Sequence, residues 1–323
     1  VIEMQPTLVS TIIPVFNRPL MLQEAVASVL AQTYRPIEVI IVDDGSTDET
    51  SRVADDLATA HPDILRVVHQ ANRGVGAARE TGRLAARGDL LQYLDSDDVI
   101  LPSKFELQVA ALSADPAASA AYGRGIYRDE NGHRIDCTWK PLLAGETTIL
   151  PHFLRARMWE TPSPLYRASI CSAAGPWSEL RLEEDWEYDC RIGALGARLI
   201  FIDADVFEHR AHAPNRLSHG GHLPSRLRER TLAHTLIFRH ARTAGITSDA
   251  PEMQHFAREL FLLSRQCGAA GLADESRALF ELSREASGRK GQRLQFRLYA
   301  LLARLAGWRT MGRVSAVVDR FRS

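Results

Sequence analysis

The stretch Arg87-Gly88-Asp89-Leu90-Leu91-Gln92-Tyr93-Leu94-Asp95-Ser96-Asp97-Asp98 decides how this chain is read. Its apolar run, Leu90 to Leu94, has the length and composition of a strand buried on both faces, and it ends in carboxylates. Open α/β sheets bind ligands outside the carboxyl ends of their strands. Asp95 and Asp97, one residue apart, therefore arrive where a hard cation and a diphosphate can meet. Acidic turns after strands are common and mostly solvated, so the tripeptide does not decide the matter alone. Its weight comes from its neighbours.

Upstream, Leu8 to Pro14 and Ile37 to Val42 read as two more buried strands, and Leu65 to His69 as a shorter one. Between them lie helical segments: one begins near Pro19, where proline suits a first turn, and another spans Gly74 to Ala86. The loop Asp43-Asp44-Gly45-Ser46-Thr47-Asp48-Glu49 passes from turn residues into an acidic helix start. Strands alternating with helices predict an α/β fold, a mostly parallel, Rossmann-like sheet with helices on both faces. Its carboxyl edge would carry Asn17, Asp43, Asp44, Asn72 and Asp95 to Asp98. Further on, helices are expected near Ser103 to Ala114 and Glu184 to Leu195, and strands near Ala120 to Tyr127 and Leu199 to Asp203. From about Ser225 the pattern is helical with breaks at Pro251 and Gly271, which sets the expected division at 1–220 and 221–323.

The 323 residues are 45% hydrophobic and 24% charged, ordinary values for a globular chain. No run of 18 apolar residues and no basic-then-apolar leader is found, so a cytoplasmic protein is expected. Cys137, Cys171, Cys190 and Cys267 lack metal-ligand spacing and read as reduced structural thiols. The net charge of −1 hides an asymmetry: from Arg289 onward nine Lys and Arg face one Asp, an excess of +8, which leaves about −9 on the preceding chain. The acidic part argues against nucleic acid as a partner.

Five ordered segments resemble one family. VSTIIPVFNRP (Val9 to Pro19), IVDDGSTDET (Ile41 to Thr50), NRGVGAARETG (Asn72 to Gly82), RGDLLQYLDSDD (Arg87 to Asp98) and EEDWEYDCRIGALG (Glu183 to Gly196) are similar, in order and spacing, to the inverting family-2 glycosyltransferases of GT-A fold. The resemblance covers about residues 7 to 212. It implies a GT-A nucleotide-sugar-binding and catalytic domain at 1–220. It also implies a nucleotide-sugar donor, most often a UDP-sugar, a Mn²⁺ or Mg²⁺ ion, and displacement with inversion. The Gln-x-x-Arg-Trp motif and membrane helices of processive synthases are not found, so attachment of one sugar to a glycan or lipid-linked acceptor is expected.

Carried over residue by residue, the resemblance implies that Asp97 binds the metal and Asp95 is directed at the ribose, with Ser96, between them, also on the donor-binding side. Asp98 either joins them or caps the following turn. Asp44 is similar to the aspartate that accepts a hydrogen bond from the base, with Asp43 as its alternative. Pro14, Val15, Phe16 and Asn17 border the nucleoside pocket, Phe16 packing either on the base or in the core. Arg79 contacts base or phosphates, or pairs with a carboxylate; Glu80 stands where the family has asparagine. Asp185 resembles the catalytic base, Glu184 orients the acceptor or supports Asp185, and Trp186 and Gly175-Pro176-Trp177 fit the acceptor side. In His209-Arg210-Ala211-His212, His212 is the histidine expected to complete metal or phosphate binding, and His209 its neighbour. His219 and His222 follow in a glycine-rich stretch.

Two other functions compete. A sugar-phosphate nucleotidyltransferase would carry a Gly-rich, Arg-containing loop after the first strand, where this chain has Pro14-Val15-Phe16-Asn17. A non-enzymatic sugar-nucleotide-binding module would lack Asp97 or Asp185, and both are present. In the basic tail, Leu294, Leu298, Leu301, Leu302, Leu305 and Trp308 fall on one helical face flanked by Arg293, Arg297 and Arg304. That face either packs on the preceding helices or lies on an anionic membrane, a peripheral location on the inner face.

Overall fold

The computed structural model describes residues 6–129, 131–135, 145–210, 223–292 and 294–320. The chain packs as two compact units, residues 1–149, 158–181 and 195–213 in one, 150–157, 182–194 and 214–323 in the other.

The first unit opens with β1 (Val9–Val15), α1 (Pro19–Leu30), β2 (Ile37–Asp43), α2 (Thr50–Ala60), β3 (Leu65–His69), α3 (Val75–Ala85) and β4 (Leu90–Tyr93). These four strands are parallel in the order β3-β2-β1-β4. Every residue of β1 and β2 is buried, which is why both read as apolar runs rather than as alternation. Val15 pairs with Asp43 and Asp43 with His69, so the carboxyl ends of β1 to β3 lie level. Helix α3 presses close to β1: a Cβ at Gly82 would stand 2.3 Å from Ile12 Cγ2, so only glycine fits there.

Beyond β4 come β5 (Val99–Ile100), α4 (Lys104–Ala114), β6 (Ala120–Arg128), β7 (Arg134–Ile135), β8 (Leu165–Arg167) and α5 (Ala168–Ala174), and β9 (Leu199–Arg210) belongs to the same unit. The sheet continues β4-β8-β6-β9-β5, with β7 on β6. Here β8 is antiparallel to both its neighbours, while β6 and β9 are parallel. The expected parallel arrangement thus holds for β3-β2-β1-β4 and for β6-β9, and short antiparallel strands join and edge them. Strand β9 runs seven residues past the Asp203 end expected from sequence, and its register against β6 shifts near Gly123 and Arg124. The extension carries His209 into the sheet. Val9, Ile13, Leu22, Ile41, Leu94 and Phe105 belong to the core.

The second unit holds α6 (Glu184–Ala194), α7 (Pro224–Thr243), α8 (Pro251–Ala269), α9 (Ala273–Ala286), α10 (Leu294–Ala306), α11 (Trp308–Arg320) and a one-turn helix, His152–Leu154. Pro224 and Pro251 occupy first turns, and Gly271 (φ +86°) follows α8. The continuous tail face expected up to Trp308 is corrected. Gly307, also at φ +86°, ends α10, and Trp308 opens α11 with its ring 5.3 Å from that of Phe280. Helix α11 crosses α8 at two glycines, where a Cβ on Gly312 would lie 2.3 Å from the Ala269 amide nitrogen. Cys171, Cys190 and Cys267 are buried free thiols, and Cys137 lies outside the described residues. Among the described residues no helix is long and apolar enough to cross a membrane.

Candidate active site

At the carboxyl edge of the first unit the loop after β1 is tied to the loop after β2. Asn17 sits in the left-handed region (φ 52°), a conformation asparagine tolerates better than most residues. Its side-chain carbonyl accepts from the Thr47 amide (2.8 Å), and its own amide donates to Ser46 Oγ (3.0 Å). Pro14 and Val15 are buried, whereas Phe16 is 43% exposed. The core alternative for Phe16 is therefore corrected: its ring stands open at the strand end.

Asp43, the last residue of β2, and Asp44 after it are both buried and have distinct partners. Asp43 accepts from the Ser46 amide (3.0 Å), Ser51 Oγ (2.5 Å) and His69 Nδ1 (3.0 Å). Burial works against its charge, but these hydrogen bonds prevail and hold its carboxyl below the usual range. Asp44 accepts from Gln70 Nε2 (2.7 Å), the Arg73 amide (2.9 Å) and the Gly74 amide (2.8 Å), the last at the N-terminus of α3. Three of the roughly four acceptor positions of its carboxylate are thereby used within the protein.

The acidic turn after β4 divides its three carboxylates among different partners. Arg79, 2% exposed, donates to Asp95 Oδ1 at 2.6 Å, and its guanidinium lies 4.7 Å from the centroid of the Trp177 ring. Of the alternatives open for Arg79, the carboxylate pairing is the one observed. Trp177 is itself 6% exposed and meets Tyr93 edge-on, so it packs beneath this turn instead of standing open toward an acceptor. Glu80 is held by a two-pronged contact from Arg83 (2.7 and 2.8 Å). Asp97 pairs with Arg18 at 2.6 Å. Asp98 is buried against His209 Nδ1 at 2.7 Å, and burial, with Asp97 and Asp95 adding to it, pushes its carboxyl up to about 7 against the pull of His209. Ser96 is buried between them.

Asp95 and Asp97 are partly exposed oxygen donors, the type that hard cations take. Among the described residues no cluster of three or more His, Cys, Asp or Glu could cage a metal ion by itself. This donor set fits Mg²⁺ or Mn²⁺ held by one or two carboxylates and completed by substrate phosphates and water. His212, His219 and His222 lie outside the described residues.

In the second unit the Glu183-Glu184-Asp185 run opens α6. Glu183 adopts φ 59° and turns to Arg230 (3.0 Å) and the buried His234 (3.1 Å). Burial opposes its charge, and these two partners outweigh that and hold it below the usual range. Glu184 is buried. Asp185 remains partly exposed: Arg157 donates to its Oδ2 at 2.5 Å, and the Trp186 amide to its Oδ1 at 2.7 Å. The same guanidinium reaches buried Asp189 at 2.8 Å. Trp186 donates its indole N–H to the Phe153 carbonyl (2.8 Å). Arg18 and Arg157 were not singled out in the sequence, because nothing local marks a partner that lies 79 or 28 residues away.

The model of glycosyl transferase family 2 matches residues 10–171, half of the chain. EpsJ, a glycosyltransferase of Bacillus subtilis (strain 168), is 28% identical over 278 residues, 81% of this chain and 79% of the relative. Other glycosyltransferases match over about 40% of the chain, and one such match spans 21% of the relative. The crystal structure of S. aureus TarS 1-349 superposes with TM-score 0.69 at 19% identity, covering 98% of this chain and 92% of TarS; its UDP-GlcNAc complex gives 0.67. The mannosyltransferase PcManGT of Pyrobaculum calidifontis, with GDP-Man and Mn²⁺, superposes at 0.53 and 20% identity over 99% of this chain and 88% of its own. With its family model, its GT-A-like sheet and its acidic turn in agreement, the chain belongs to glycosyl transferase family 2, the inverting glycosyltransferases.

Proposed function

We propose that this glycosyltransferase moves a single sugar, with inversion, from a nucleoside-diphosphate sugar to a hydroxyl of a glycan or lipid-linked acceptor. The observation that carries the reading is the Asp95-Ser96-Asp97 turn at the carboxyl end of β4, in the sheet whose β2 is followed at the same edge by buried Asp44. The TarS complex with UDP-GlcNAc supports a UDP-sugar as the donor to test first. Residues 1–220 are assigned to catalysis and 221–323 to an accessory helical region.

In this reading Pro14, Val15, Phe16 and Asn17 border the nucleoside, Phe16 offers its open face to the base, and Asp44 uses its remaining acceptor position toward it. Asp95, oriented by Arg79, is directed at the ribose, and Ser96 spaces it from Asp97. Asp97 would hold Mn²⁺ or Mg²⁺, which supplies charge neutralisation for the departing diphosphate; PcManGT, with GDP-Man and Mn²⁺, supports that assignment. His212 is kept as a candidate second ligand. Asp185 serves as general base: the acceptor oxygen bonds to the anomeric carbon, the bond from that carbon to the diphosphate breaks, and the hydroxyl proton passes to the Asp185 carboxylate. Arg157 fixes one oxygen of Asp185, and Glu184 backs the same helix start.

A panel of nucleotide sugars incubated with the protein and Mn²⁺, read out as released nucleoside diphosphate, tests this without an acceptor. Turnover of one donor above the others is expected. No turnover of any donor, with no donor binding, would overturn the reading.

A further inference from the structure

Helix α10 is apolar on two opposite faces. Its inner face carries Phe296, Tyr299 and Ala303. The Phe296 ring lies 5.5 Å from that of Phe261, Tyr299 stacks on Phe280 at 5.4 Å, and Ala303 is 1% exposed. This face docks the helix onto α8 and α9. The other face carries Leu294, Leu298, Leu301, Leu302 and Leu305, which at helical spacing span an arc of about 100°. All five are exposed, from 40% at Leu302 to 78% at Leu294. The reading in which these leucines pack on the preceding helices is thereby excluded, since aromatic residues of the inner face fill that role.

The charge around the leucines bears on what could cover them. Arg297 and Arg304, on α10, are exposed along one edge of the arc, and Arg309 and Arg313 of α11 and Arg289 and Lys290 just before α10 are exposed as well. From Ala286 to Val318 the sequence contains no acidic residue. A second copy of the chain, docked antiparallel and leucine face to leucine face, would bring the Arg297 and Arg304 rows together with no carboxylate on α10 to receive them, a like-charge arrangement that disfavours association. A surface combining apolar depth with fixed negative charge satisfies both features at once.

We propose that the α10 leucine face, with its arginine flank, is a docking surface for an anionic lipid bilayer, on which the helix lies in the interfacial plane. The leucines enter the acyl boundary and the arginines meet the headgroups, while the aromatic inner face keeps α10 attached to the bundle. A lipid-linked acceptor would be presented on that same surface.

The test is co-sedimentation of the full chain with vesicles of phosphatidylcholine alone or with about 30% phosphatidylglycerol, at low and high salt. It contains no sugar donor, so its outcome is separate from the sugar-transfer reading. Two variants accompany it, Leu298→Gln/Leu301→Gln/Leu305→Gln and Arg297→Gln/Arg304→Gln. All five positions are exposed, and circular dichroism checks that both variants fold. Binding to anionic vesicles at least about tenfold stronger than to neutral ones, weakened by salt and lowered about tenfold or more in each variant, is the expected result. Negligible binding of the unmodified chain, equal binding to both vesicles, or undiminished binding of the folded leucine variant would overturn the proposal. So would a dimer in solution that the leucine variant dissolves while vesicles are ignored, which would make a second copy the occupant.

Discussion

Arg18 and Asp97 form an ion pair, 2.6 Å between Nη1 and Oδ2, joining the start of α1 to the acidic turn after β4. The carboxylate assigned to a divalent cation thus already has a cationic partner from the chain. Arg18 and the incoming cation compete for one oxygen. Arg18→Ala is expected to raise the affinity of the donor-free protein for Mn²⁺ several-fold, measured by manganese electron paramagnetic resonance. Unchanged affinity would show that the pair places no constraint on the metal.

Asp185→Asn should keep donor binding and lose transfer. The amide preserves the shape at the start of α6 and the acceptor oxygen for the Trp186 amide, but it cannot take up the proton. Loss of a general base costs about 10²–10⁴-fold in rate. Single-turnover transfer assays against calorimetric donor binding separate the two effects, and near-normal turnover would move the base assignment to Glu184.

Arg157→Met should destabilise the protein. It leaves Asp189, 1% exposed, without its guanidinium partner, and breaking a buried ion pair from one side costs about 3 kcal/mol. Urea denaturation measures this. The same substitution frees Asp185 Oδ2, so the rate of transfer should fall more than donor affinity does.

Glu187 sets a pH dependence in the second unit. Burial opposes its charge, but His240 (2.8 Å) and Arg191 (2.7 Å) outweigh burial and hold its carboxyl below the usual range. A depressed folded-state value contributes stability that is present above the unfolded value, 4.5, and is lost as pH falls through the folded one. Glu187→Gln should therefore be less stable than the unmodified chain at about pH 7, with the difference narrowing below about pH 4. Denaturation curves at the two pH values check it; a constant difference would remove Glu187 as the source.

Strands β1, β2 and β4 were legible because each is buried along its whole length and so appears as an apolar run bounded by turn residues; β3, buried only at Leu65, left a weaker run, and the acidic turn was legible because it ends β4. Strands β5 and β8 were not, since two or three residues show no period. The end of α10 was missed because Leu294 to Trp308 keeps helical spacing across Gly307, and only the glycine's left-handed backbone breaks it. In the site, the motif residues could be named, but the division of labour among Asp95, Asp97 and Asp98 depends on Arg79, Arg18 and His209, which the fold brings from other strands and helices.

The central claim is that the acidic turn binds a sugar nucleotide through a divalent cation at Asp97. Calorimetric titration of the full chain with UDP-GlcNAc, in Mn²⁺ and in EDTA, for the unmodified protein and for Asp97→Ala, tests it most directly. Saturable binding in Mn²⁺ that disappears in EDTA and in the folded Asp97→Ala variant is predicted. Binding of equal affinity in EDTA, or in that variant, would contradict it.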